Sequence, residues 1–254
     1  MFLAFVCGGL VASAQFGGEG TGGPPKGANM SGAMAKLFGD LPGFSANIEM
    51  QIAIGGDEKM FYPGRIAMLD NKSRFEMDST QVKGLGNPNA TAQMRSMGLD
   101  KMVSISRPDK KVTYVIFPGL NSYTETPLTD SQAIKPKDKF TVETTQVARE
   151  KVDDHDCVKN HVVIIDDEGN RSEATVWNAN DLDKFPVKIE RMEGGRLNTT
   201  LFKNIEIKKP DAKLFEPPSE MTKYTSYMDL MQKEMVKKYK SGERPVIPRE
   251  PQSQ

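Results

Sequence analysis

Cysteine, histidine, aromatic residues and net charge are all scarce in this chain, and each scarcity removes a class of protein. Only Cys7 and Cys157, and only His155 and His161, occur among 254 residues. That excludes a disulfide-stapled scaffold and any repeated C-x-x-C zinc framework. Lys plus Arg and Asp plus Glu both total 34, so the formal net charge is zero. No excess of positive charge draws the chain to nucleic acid or to an anionic membrane. Aromatics make up 7%. No G-x-S-x-G elbow, Walker loop or Rossmann loop is present. Acidic residues are plentiful, but no spacing singles out a carboxylate pair for glycoside hydrolysis.

Glycine (22), proline (16) and methionine (15) are abundant instead. The first two favour many turns over a helical bundle. Methionine fills irregular apolar space in cores and in adaptable binding surfaces. The N-terminus, MFLAFVCGGLVASAQ, has an apolar run from Phe2 to Val11 ending in Ala12-Ser13-Ala14. This is the shape of a secretory h-region with an A-x-A site, which predicts cleavage between Ala14 and Gln15. The run is too short to span a bilayer, and no transmembrane segment is expected in the mature chain. A lipid anchor at Cys7 is not expected, because the preceding segment is short and Phe5 fits such a signal poorly. Residues 15–28, rich in Gly and Pro, read as a disordered leader, and residues 242–254 as a loose tail.

Met30, Met34, Leu37 and Phe38 fall on one helical stripe between the cap Asn29 and Gly39. From Phe44 the period changes to two. Phe44, Ala46, Ile48, Met50, Ile52 and Ile54 alternate with Ser45, Asn47, Glu49 and Gln51, the signature of a half-buried strand. Similar segments follow at 59–69, 73–77, 102–106, 111–117, 122–125, 140–149, 157–165, 171–177, 187–192 and 197–207. Turn residues such as Arg107-Pro108-Asp109-Lys110, Asp166-Asp167-Glu168-Gly169-Asn170 and Glu193-Gly194-Gly195 separate neighbours. Short turns between consecutive strands predict an antiparallel meander with one apolar face. A helix is expected over 90–97. A longer one is expected from Ser219 to Lys240, with Met221, Tyr224, Met228, Met231, Met235 and Tyr239 as its apolar stripe. No internal repeat and no linker between Phe44 and Pro218 is evident, so residues 29–241 are read as one domain.

The run VDDHDCVKNHVVII, 152–165, gathers both histidines, Cys157, Asp153, Asp154 and Asp156. On a strand His155, Cys157 and His161 share a face, but Cys157 and His161 then stand roughly 13 Å apart along it. One metal ion does not span that distance. The aspartates tend to raise a thiol pKa, the wrong direction for a reactive thiolate. The run therefore reads as an acidic turn leading into a strand, with a Cys157/His155 hydrolase as the least favoured alternative and no cofactor or metal expected.

FSANIEMQI, ISRPDKKVTYVIFPGLNSY, the VW and FPVK of residues 176–188, and the closing LFKNIEIKKPDAKLFEPPSEM follow one another in an order that resembles the LolA/LolB-like lipoprotein carriers. The resemblance covers about Phe44 to Met221. It implies an α+β fold, a curved open antiparallel sheet (half-barrel) with helices covering the concave face. It implies a non-catalytic envelope protein, in the periplasm, binding a lipid or lipoprotein acyl chain. Ile48, Met50, Ile52, Tyr114 and Ile116 on strands, with Met228 and Met231 on the last helix, are the expected ligand-binding residues. It also implies an arginine on an early strand that locks the lid, for which Arg65 and Arg74 are the candidates. A stress-sensing or protein-interaction scaffold, with an envelope protein as partner, is the alternative role on the same fold.

Overall fold

The computed structural model describes residues 35–55, 58–84, 88–128 and 140–240. The expected signal peptide, the leader, the start of the helix at Asn29 and the closing tail lie outside the described residues. Twelve strands form one sheet in the order β12-β6-β5-β4-β3-β2-β1-β11-β10-β9-β8-β7. The first meander runs β1 (Gly43–Gly55), β2 (Glu58–Leu69), β3 (Lys72–Asp78), β4 (Lys101–Arg107), β5 (Val112–Phe117) and β6 (Ser122–Pro127). The second runs β7 (Phe140–Val152), β8 (His155–Asp166), β9 (Arg171–Ala179), β10 (Pro186–Glu193) and β11 (Arg196–Glu206). Antiparallel pairing of β1 with β11, through Ile48 opposite Phe202 and Met50 opposite Thr200, joins the two. β12 (Thr222–Tyr224) adds to the outer edge of β6 in parallel.

The sheet is open and curved, ending at β12 on one side and β7 on the other. Register shifts at Ser45/Asn47, Gln146/Ala148 and Pro186/Lys188 supply local bends, since each extra residue kinks and twists its strand. Two described helices are longer than a turn: α1 (Pro88–Met97) and α2 (Tyr227–Lys240). Both pack on one face of the sheet. Met94 and Met97 of α1 and Tyr227, Leu230 and Met231 of α2 meet Met102, Val115, Phe117 and Tyr224. On the same face Phe38 stacks on Phe44, centroids 4.8 Å apart, and meets Phe202 edge-on.

Period-two alternation makes the other face distinct. Ala67, Leu69, Val103, Ile105, Tyr114 and Ile116 project there and are closed over by Phe215, which is fully buried. Phe215 ends a 3-10 turn, Ala212–Phe215, whose start is capped by Asp211 accepting from the Lys213 amide. Arg74 donates to the Leu214 carbonyl, and Arg107 to the Phe215 carbonyl and the Glu216 carboxylate. The PDAKLFEPP segment is thus a strap, its phenylalanine a plug and its charges a clasp. Covered on both sides, β4 and β5 are buried from their second residue onward, which accounts for the run VTYVIF, apolar but for Thr113.

Two expectations need correction. The last helix begins at Tyr227, not Ser219, because the residues before it form β12. Its cap is Ser226, whose hydroxyl accepts from the Asp229 amide. Its inward stripe is the buried Leu230 and Glu234 with the half-buried Tyr227 and Met231. Met228 is 71% exposed, so the stripe predicted through it is rotated. The reason lies in Glu234. Its carboxylate accepts from the Tyr224 hydroxyl and from Lys237, and lies 3.5 Å from the Ser122 hydroxyl, partners that make burial of a charged residue tolerable.

A charge-free sheet face as the candidate functional site

Register assigns a side to every residue of the first meander. The helix-bearing face carries Phe44, Ala46, Ile48, Met50 and Ile52 from β1, and Met60, Tyr62, Gly64, Ile66 and Met68 from β2. It continues with Ser73, Phe75 and Met77, then Met102, Ser104 and Ser106. It ends with Thr113, Val115 and Phe117 on β5 and Ser122, Thr124 and Thr126 on β6. Inward of the β1–β2 turn at residues 55–58, no charged side chain stands on it across β1–β6. The opposite face of the same strands carries Glu49, Lys59, Arg65, Lys72, Arg74, Glu76, Lys101 and Arg107. Gly64 serves the apolar side: a Cβ there would stand 2.7 Å from the Glu76 carbonyl and 3.3 Å from the Phe75 ring. A larger residue would displace that ring and the strand beside it.

The helix-bearing face of the second meander is different in kind. Val162, Ile164, Ala174, Val176 and Ile189 are apolar, but Asn160 bonds Asn178 and Arg191 pairs with Glu193, which accepts from Asn198. Burial lowers the Arg191 pKa, and the charge of Glu193 works against that shift.

The expected ligand residues do not meet on one surface. Ile48, Met50 and Ile52 stand on the helix-bearing face, the first two buried. Tyr114 and Ile116 point the other way, into the Phe215 plug. Their odd and even strand positions look alike in sequence because both faces of β5 are apolar. Met228 and Met231 border an open depression of about 500 Å³ on α2, shared with Asp229 and Gln232. Arg65 and Arg74 are on the opposite face, and Arg74 fastens the strap rather than a lid. The cation that does most there is Arg107, 7% exposed, which sequence reasoning misses. Its one signal is that it stands as a lone arginine ending the apolar strand MVSISR.

The histidine–cysteine run resolves into separate contacts. The His155 Nδ1 lies 2.8 Å from an Asp181 carboxylate oxygen, and the His161 Nε2 lies 3.4 Å from Glu173. The Cys157 thiol, 2% exposed, donates to the His155 carbonyl at 3.4 Å. Burial, with Asp181 and Asp156 nearby, pushes its pKa up, which leaves the thiol protonated and a poor nucleophile. Trp177, also buried, is held between Lys188 and Lys159 at 4.1 and 4.9 Å from its ring and donates to Glu150. No cluster of three metal-capable side chains occurs among the described residues.

No family model and no curated protein matches the chain. Among solved structures it is similar to a LolA superfamily protein of Nitrosomonas europaea, 11% identical over 72% of this chain and 94% of that one, with a TM-score of 0.35. It is similar to the lipoprotein LppX of Mycobacterium tuberculosis, 11% identical over 70% and 94%, TM-score 0.38. It is also similar to LprF of Mycobacterium bovis, 13% identical over 72% and 93%, TM-score 0.37. The architecture itself rests on the strand order and register of this chain.

Proposed function

We propose that this chain is a non-catalytic carrier of the bacterial envelope that shelters an apolar ligand, a lipid or the acyl chain of a lipoprotein, against the helix-bearing face of β1–β6. The observation that carries the reading is the absence of charge from that face across six consecutive strands, in a chain that is 27% charged. An acyl chain gains about 0.8 kcal/mol for each methylene taken out of water, and a charged side chain on the same surface would cancel several methylenes. The face is held shut in part by α2, which bears methionines and is fastened through Glu234, so access to the ligand requires a movable cover. Ile48, Met50 and Ile52 are the contacts from β1; Met228 and Met231 lie on the cover.

Native mass spectrometry of protein exported and purified without detergent, followed by organic extraction, tests the reading. A bound mass that is released as lipid supports it. A clean apo mass that persists after incubation with phospholipid vesicles counts against it. The edge strand β7, exposed along nearly its whole length and joined on its outer side by no other described strand, favours a second reading in which the sheet is an interaction scaffold. Strand addition by an envelope protein along β7, with no extractable lipid, is what that reading expects.

A further inference from the structure

Three hydroxyls on the charge-free face have no hydrogen-bond partner among the described residues. Ser104 and Ser106, each 2% exposed, and Thr113, 7% exposed, are buried with their oxygens unsatisfied. They are neighbours. Thr113 stands directly opposite Ser106 in the β4–β5 register, a pairing that brings Cβ atoms to about 5 Å. Ser104 lies two residues along β4, roughly 7 Å away. Ser73, also buried, flanks Ser106 on the other side.

An orphaned buried hydroxyl costs the chain desolvation energy with no return. Alanine or valine would satisfy the packing and, for valine, the strand preference as well. The three groups lie in mutual reach at one end of the face, in a hydroxyl row that runs Ser73, Ser106, Thr113 and Thr126 across four strands, with Phe75 and Val115 flanking Ser104 in the next row.

We propose that Ser104, Ser106 and Thr113 form a subsite for the carbonyl oxygens of a neutral acyl ligand, an ester or amide, whose chains lie along the apolar rows beside them. This deepens the carrier reading and rests on it. Hydroxyls donate to carbonyl oxygens without needing a countercharge. An ionised phosphate or carboxylate at the same place would be an unpaired buried charge, because β1–β6 present no cation on this face and Arg107 projects from the other. The site therefore selects the linkage region of an acyl lipid rather than its headgroup.

The test compares the full chain with the variant Ser104→Ala/Ser106→Ala/Thr113→Val and with Thr113→Val alone. Two probes are partitioned from cyclodextrin onto the protein, methyl palmitate and hexadecane. The wild type should take up the ester in preference to the alkane. The triple variant should lose roughly tenfold of its ester affinity, the equivalent of one to two hydrogen bonds, with alkane uptake unchanged. Thr113→Val should lose a smaller part. The melting temperature of the ligand-free variants should hold or rise, since the orphaned groups are gone. Ester uptake equal in variant and wild type overturns the subsite while leaving the carrier reading intact. An equal fall for both probes, or a lowered melting temperature without ligand, also overturns it, because the hydroxyls would then serve packing or bound water. Failure of the wild type to take up either probe overturns the carrier reading itself, and the subsite with it.

Discussion

The two meanders share one sheet, yet they solve burial differently. In the first, β4 and β5 are covered on both faces, by α1 and α2 on one side and by the Phe215 strap on the other. In the second, β7 offers 13 residues that are almost all exposed, with Val147 at 58%. The difference follows from what the chain does after each strand. α1 comes from the β3–β4 connection, while the strap and α2 come from the end of the chain, returning across the molecule after β11. Nothing among the described residues returns over β7, and its sequence FTVETTQVAREKV meets that exposure with charge and a bulge, the usual defences of a free edge.

The largest expected effect comes from removing the plug. Phe215→Ala should cost about 3–5 kcal/mol, read as a lower urea midpoint, because the ring is fully buried among Ile105, Tyr114 and Ile116. A loss below about 1 kcal/mol would mean that the double covering of β4 and β5 contributes little to stability.

A step smaller is the clasp. Arg107→Gln leaves Asp109 and Glu216 without their common guanidinium and should cost on the order of 1–3 kcal/mol. It also alters the acid response. Burial pushes the Glu216 carboxyl up, but hydrogen bonds from Lys110 and Arg107 outweigh it and hold the pKa below the ordinary range. The Arg107 hydrogen bond likewise lowers Asp109. Depressed folded values mean that the unfolded chain takes up protons first. The clasp therefore contributes fully above about pH 4.5 and is lost as pH falls through the folded values. Both carboxylates are well exposed, so the pH-dependent part should stay under about 1 kcal/mol. Denaturant titrations between pH 3 and 6 should show a shallower acid loss in Arg107→Gln than in the wild type.

Release of α2 sharpens the comparison further. The Glu234 carboxylate is likewise pushed up by burial but held low by Lys237 and Tyr224. Glu234→Gln should speed hydrogen exchange in residues 227–240 by several-fold, with β8–β10 unchanged. Equal acceleration in both regions would make α2 part of the global unit rather than a cover. The smallest effect belongs to the free edge. Thr145→Ala should change stability by less than about 0.5 kcal/mol; a larger loss at high protein concentration alone would show that β7 pairs with another chain.

Strand positions are legible from alternation, because a strand covered on one side must place apolar residues at every second position. The expected segment 44–54 coincides closely with β1, and Asp166–Asn170 turns as its composition implies, with the Asp166 carboxylate accepting from the Glu168 and Asn170 amides. Where both faces are covered, alternation vanishes. Nothing in the pattern then separates Tyr114 and Ile116, which face the strap, from residues on the ligand side. β12 is three residues long, too short for any periodicity, and the helical spacing from Met221 to Tyr239 hides it. The hydroxyls of Ser104, Ser106 and Thr113 carry no signal, since serine and threonine in a strand look ordinary until their surroundings are known.

By itself the sequence determined the local elements: eleven of the twelve strands, α1, the body of α2 and the acidic turn before His155. Those depend on residue spacing and turn chemistry within a few positions. Only the tertiary structure decided that β1 pairs with β11, that the strap crosses to Arg107 and that six strands present one face without charge. The first two depend on contacts between residues more than a hundred positions apart, such as Arg107 with Phe215, separated by 108; the third depends on the registers of successive hairpins. A pattern with period two can say that a strand has two sides; only packing decides which side meets what.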